Sequence, residues 1–104
     1  MSFQAGAPHN ASVPITVAPS GVPYSVKVIM TSDQQGQNVA ATSNTANATA
    51  TGSPQTQTVT ITAPNAIGTF YPFVIVTVAG VEYVSAQAAV VTTPLVTIGT
   101  ITWG

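Results

Sequence analysis

Only three side chains in this sequence are ordinarily charged: Lys27, Asp33 and Glu82. His9 is the single histidine. General acid–base catalysis needs titratable groups held together with tuned pKa values. Here Asp33 sits in the polar stretch Ser32-Asp33-Gln34-Gln35-Gly36-Gln37, and Glu82 follows a turn signal at Ala79-Gly80. Nothing in the spacing pairs the two carboxylates for glycoside hydrolysis. A Ser-His-Asp set can be drawn on paper from His9, Asp33 and one of eight serines, yet no nucleophile elbow is present. One histidine, two distant carboxylates and no cysteine supply neither a metal shell nor a thiolate nucleophile. A non-enzymatic protein with no cofactor and no metal is therefore expected.

The same scarcity of charge limits the partners. Charged residues make up 3% of the chain, where a typical soluble domain has about a quarter. One lysine, no arginine and a net charge of −1 give no basic patch for phosphate contacts, so nucleic-acid binding is not expected. The longest apolar run, Phe70 to Val78, is too short for a membrane-spanning helix. The opening Met1-Ser2-Phe3-Gln4-Ala5-Gly6 has neither a basic nor an apolar signal-peptide region, so no signal peptide is expected in the chain as given. Two glycosylation sequons occur, at Asn10-Ala11-Ser12 and Asn47-Ala48-Thr49, so Asn10 and Asn47 are the candidate glycan acceptors. Tyr83 and Trp103 are aromatic residues that could form a sugar-binding platform or pack in an interface.

What remains is β structure. Threonine, valine and isoleucine number 17, 15 and 7, against a single leucine, Leu95. β-branched side chains lose rotamer freedom in a helix and pack well on a pleated surface. An all-β domain follows.

Residues 1–12 show no apolar period and predict a flexible N-terminal arm, leaving residues 13–104 as the folded domain. Val13, Ile15 and Val17 alternate with polar or small residues and predict a first strand over 13–18. Pro14 cannot donate to a ladder and marks it as an edge strand. In Tyr24 to Thr31, Tyr24, Val26, Val28 and Met30 share one face. Asn38 to Thr51 reads as weak strands of small residues. In Gln55 to Thr62, four threonines lie on one face, with Val59 and Ile61 on the other. Phe70 to Val78 is apolar on both faces, as a central strand is, and Pro72 predicts a bulge near its start. Ala79-Gly80 predicts a two-residue hairpin into Val81 to Ser85. Ala88 to Thr92 continues that strand or begins another, and Pro94 ends it. Leu95 to Trp103 then predicts a last strand, paired either in its own sheet or in a neighbour's, its apolar phase slipping by one residue at Gly99, as a bulge there would allow.

The run Thr58 to Ser85 (TVTITAPNAIGTFYPFVIVTVAGVEYVS) resembles the E–F–G strands of immunoglobulin-like and fibronectin type III-like modules. The resemblance covers about a quarter of the chain. It implies a single antiparallel β-sandwich of about seven strands. Two features depart from the pattern. Phe70 and Tyr71 both compete for the place of the corner tyrosine, and no tryptophan occupies an early strand.

An uncharged, threonine-rich β surface lacks the repulsion that keeps copies apart. The expected role is a structural subunit that binds copies of itself or other structural proteins. A virion component such as a capsid, vertex or spike protein is the first setting, with location on a virion or extracellular surface. A surface filament or adhesin subunit joined by strand addition is the alternative, followed by a carbohydrate-binding module. The interface candidates are Tyr83, Leu95, Val96, Ile98, Ile101 and Trp103. On this reading, deleting residues 95–104 causes unfolding or loss of assembly, whereas deleting residues 2–9 spares the fold.

Overall fold

A computed structural model describes residues 2–104, and every regular element among them is a strand. In chain order these are β1 (Ser2–Gln4), β2 (Pro8–Ile15), β3 (Pro23–Thr31), β4 (Val39–Thr42) and β5 (Ala46–Thr49). They continue as β6 (Gln55–Thr62), β7 (Gly68–Val78), β8 (Val81–Ala86) and β9 (Val90–Thr93). The protein is all-β. Seven strands form one sheet in the order β1-β9-β7-β3-β4, with β5 also on β3 and β8 also on β7. The remaining two, β2 and β6, pair antiparallel as a separate sheet.

β3 and β7 are the spine. They pair from Tyr24↔Val78 to Thr31↔Tyr71 without a break in register. Each spine strand has its other edge covered by two short strands. β5 pairs with Pro23–Val26 and β4 with Ile29–Thr31. β8 pairs with Phe73–Val78 and β9 with Gly68–Phe70. Ser43 and Asn44 explain how the chain passes between β4 and β5. The Ser43 hydroxyl accepts from Val28 N–H at 2.8 Å, and Ser43 N–H donates to the Val28 carbonyl at 2.8 Å. β3 thus loses no hydrogen bond there. The next residue reaches the other sheet: Asn44 Oδ1 accepts from Thr60 N–H at 2.7 Å, and Asn44 N–H donates to the Thr60 carbonyl.

The two sheets share one core. Val59 and Ile61 from β6 pack with Tyr24, Val26, Val28 and Met30 from β3, while Ala11, Val13 and Ile15 of β2 close over them. The threonines of β6 face outward, as their alternation predicts. On the far side of β7, Phe73 and Ile75 form a small second cluster with Ile29. Two threonines are fully buried without cost because each hydroxyl has carbonyl partners. Thr31 donates toward Asp33 and Tyr71 carbonyls, and Thr92 toward the Ala66 carbonyl while accepting from Gly68 N–H.

Four expectations need correction. Residues 2–12 are not an irregular arm: β1 pairs parallel with β9, and β2 begins at Pro8 rather than Val13. The inward positions of β2 start with His9 and Ala11, which carry no apolar signal, so the strand's first half is silent in the sequence. Pro72 causes no bulge in the β3–β7 register. It sits where the second edge of β7 passes from β9 to β8, and its carbonyl accepts from Gln87 N–H in the connecting segment. A missing donor costs nothing at that gap. The bulge lies instead opposite β4, between Met30 and Thr31. The fourth and largest concerns one half of an expectation: residues 94–104 form no strand with the other described residues, so Leu95–Trp103 is not paired in its own sheet.

The Ala79-Gly80 turn is as expected. Val78 opposes Val81, and both turn residues have positive φ, 50° at Ala79 and 80° at Gly80. That is the primed turn a two-residue hairpin requires.

Candidate interaction site

β9 pairs with the first three residues of β7, running antiparallel toward its beginning. The chain beyond Thr93 therefore runs off the end of the sheet, where no strand lies alongside. Pro94 reinforces the break because it has no N–H to donate. The consequence is a tail of large apolar residues in solvent. Leu95, Val96, Ile98 and Ile101 are between 67% and 88% exposed, and Trp103 is 85% exposed. Nothing lies within 4 Å of the position a side chain would take at Gly99.

The molecule's dimensions agree with a projecting tail. Its principal extents are 73 × 25 × 18 Å. β7, the longest strand, accounts for about 36 Å at ~3.3 Å per residue, and eleven extended residues account for about the same again. The radius of gyration is 17.4 Å, where a compact chain of this length has about 13 Å.

A second unusual surface lies on the body. The two-stranded sheet covers β3 and part of β7 but stops short of β8, all six residues of which are exposed. A trench runs between the free edge of β2 and the inner face of β7 and β8. It consists of adjoining cavities of ≈ 430, ≈ 380 and ≈ 360 Å³. Val74, Val76 and Val78 form its floor, Tyr83 one wall, and Val13 and Ile15 the other. At one end His9 stacks on Phe3 with ring centroids 4.1 Å apart. His9 Nε2 is buried there and has no hydrogen-bond partner among the described residues.

The backbone along the trench can be assigned. The Ala7 carbonyl accepts from Ala63 N–H at 2.8 Å. Alternation in an antiparallel pair then turns the backbone groups of His9, Ala11, Val13 and Ile15 toward β6. Those of Pro8, Asn10, Ser12 and Pro14 face the trench side. Prolines have no N–H, so Asn10 and Ser12 are the donors of this free edge. The edge character expected from Pro14 is what the pairing shows.

The interface candidates fall in two places. Tyr83 lines the trench and is 59% exposed, while Leu95, Val96, Ile98, Ile101 and Trp103 form the tail. Tyr83 and Trp103, the sugar-platform pair, thus stand on separate elements. Asn10 and Asn47 are exposed on β2 and β5, and Asn10 Oδ1 accepts from the Thr60 hydroxyl at 2.9 Å. Sequence reasoning missed the trench because its floor belongs to a strand that looks uniformly apolar. Whether that strand's second face is covered depends on how far β2 and β6 extend.

The titratable groups are scattered. His9 lies on β2, Asp33 in the β3–β4 loop and Glu82 on β8, and no three potential metal ligands gather among the described residues. Asp33 is a turn former, as its position predicts. Its carboxylate accepts from the N–H groups of Asn38, Gln37 and Gln35, at 2.7 Å for Asn38. These bonds, Asn38's foremost, favour the ionised form and hold the Asp33 pKa below the ordinary carboxylate value.

Compared with known protein families, curated proteins and solved structures, the chain matches none.

Proposed function

We propose that this protein is a non-enzymatic structural subunit of a larger assembly, held together through uncharged β surface. One observation carries the reading: five large apolar side chains stand in solvent on a tail that pairs with no strand among the described residues. Exposed apolar surface on this scale marks a contact that an isolated subunit leaves unmade. The near absence of charge removes the repulsion that would oppose such a contact.

The layout supports an immunoglobulin-like reading of the module. With β8 and β9 together along one edge of β7 in the place of G, the order through β7, β3 and β4 follows the G-F-C-C′ order of variable-type immunoglobulin sheets, with β2 and β6 in the positions of B and E. The projecting tail favours linear, head-to-tail joining over the broad flat contacts of a closed shell.

The test is sedimentation of the full chain. Oligomers are expected at micromolar concentration, and they should persist from low salt to 1 M because no ion pairs hold them. A monomer at every concentration up to the millimolar range would overturn the reading.

A further inference from the structure

We propose that the tail of one copy, Leu95–Trp103, lies along the free edge of β2 in the next copy as a third strand of the two-stranded sheet, filling the trench over β7 and β8. The proposal rests on the assembly reading above and names its joint.

The side-chain pattern fits. With a one-residue bulge at Gly99, Val96, Ile98, Ile101 and Trp103 share one face, while Thr97, Thr100 and Thr102 share the other. The two-stranded sheet has the same division. Its inner face carries Val13, Ile15, Val59 and Ile61, and its outer face carries Ser12 and the β6 threonines. A tail laid beside β2 continues both faces at once. Its four apolar residues meet Val74, Val76 and Tyr83, and its threonines join the hydroxyl-rich exterior.

Length and charge fit as well. The nine tail residues span about 30 Å, against about 27 Å for the eight residues of β2. Neither the tail nor the trench floor carries a charge. Four exposed side chains of this size, together with the backbone of an added strand, approach the roughly 800 Å² per partner of a standard interface, Leu95 lying on the threonine face. The Asn10 and Ser12 N–H groups and the carbonyls at Pro8, Asn10, Ser12 and Pro14 supply a ladder, the mode of strand addition. Other edges are less suited. The outer edge of β6 is engaged by Asn44, and β4 and β5 are four residues each. A strand added beyond β8 would leave the trench floor open. Because tail and trench are different surfaces, the contact is heterologous, and repetition gives a ring or an open chain.

The experiment uses three full-length variants. Ile98→Asp places a charge on the tail. Tyr83→Glu places one on the trench wall, and Ser12→Pro removes a donor from the free edge. All three positions are exposed or lie at an edge, and thermal melts check that each variant folds. A buried, unpaired charge should raise the dissociation constant at least about a hundredfold for either charged variant. Ser12→Pro should weaken association in the same direction. Mixing Ile98→Asp with Tyr83→Glu should yield heterodimers and nothing larger, because one intact tail and one intact trench remain. If Ile98→Asp alone disrupts oligomers, while Tyr83→Glu and Ser12→Pro assemble as wild type does, the tail pairs elsewhere: the trench joint is overturned and the assembly reading stands. A wild-type monomer overturns both. In that case slow amide exchange over 95–103 would mean that the tail fills its own trench, and fast exchange that it pairs with nothing.

Discussion

Phe70–Val78 and Leu95–Trp103 look alike as sequence: nine-residue runs rich in β-branched and aromatic residues, each interrupted by a backbone-special residue. In the structure they are opposites. The first belongs to β7, which is paired with β3 along one edge and with β8 and β9 along the other. Its Phe70, Phe73, Val74 and Ile75 are at most 8% exposed. The second pairs with no strand among the described residues. The difference lies in partner supply. β7 is followed by a two-residue turn that returns the chain directly onto its edge, so a partner is local and its closure costs little entropy. The tail is preceded by β9, which leads it past the end of β7. Apolarity makes a segment fit to be a strand, and topology decides whether an edge waits for it.

The sharpest way to break this comparison is to make the same change in both regions. Ile75→Ala should cost about 2–5 kcal/mol of folding stability, because it empties buried space. Ile98→Ala should change folding stability by less than about 0.5 kcal/mol, because the side chain already stands in solvent. Denaturant melts at a concentration where the protein is monomeric would show it. Equal costs would mean that the tail is packed in the free subunit. Deleting residues 95–104 should likewise leave the melting temperature of that monomer within a few degrees of wild type.

The opposite end of the chain gives the next largest effect. Deleting residues 2–9 removes β1, which covers β9, and takes Phe3 from the core margin. The loss should be about 2 kcal/mol or more. An unchanged melt would show that the parallel pairing of β1 with β9 contributes nothing, and would bring back the picture of a dispensable arm.

The hairpin that gives β7 its nearest partner can be improved. Ala79 holds a positive φ of 50°, which an L side chain adopts at a cost. Ala79→Asn suits the same turn better. It should add roughly 0.5–1 kcal/mol and raise the melting temperature by a few degrees. A loss would mean that the Ala79 turn is not strained.

The smallest effect is with pH. Both compared regions are uncharged, so neither should respond. The Asp33 carboxylate does, since its folded pKa is lowered by the Asn38, Gln37 and Gln35 N–H groups. That contribution is present above the unfolded value, near 3.8, and is lost as pH falls through the folded one. Thermal melts should be flat from about pH 5 to 8, with a modest decline setting in only below about pH 4. Asp33→Asn should remove that acid-side slope.

Much of this could be read before any coordinates. The β3 face of Tyr24, Val26, Val28 and Met30 is legible because alternation over a long strand leaves little ambiguity, and β6 is bounded as its alternation predicts. β2 was half legible: Val13 and Ile15 signal a strand, but His9 and Ala11 do not, so its first residues read as an arm. The candidate site divides in the same way. Leu95, Val96, Ile98, Ile101 and Trp103 are conspicuous by composition. The trench is not, because it is a property of where one sheet ends over another.

The amino-acid sequence by itself determined the class of structure, since β-branched residues at period two with turn residues between them favour little else. It also determined a surface almost without charge, and an uncharged apolar run at Leu95–Trp103. The tertiary structure alone decided which apolar runs are covered. Coverage depends on strand order and on the relative reach of the two sheets, and both are set by long-range pairing such as β1 with β9 and Asn44 with Thr60. Local pattern carries no information about those distances, so two similar segments ended in the core and in solvent.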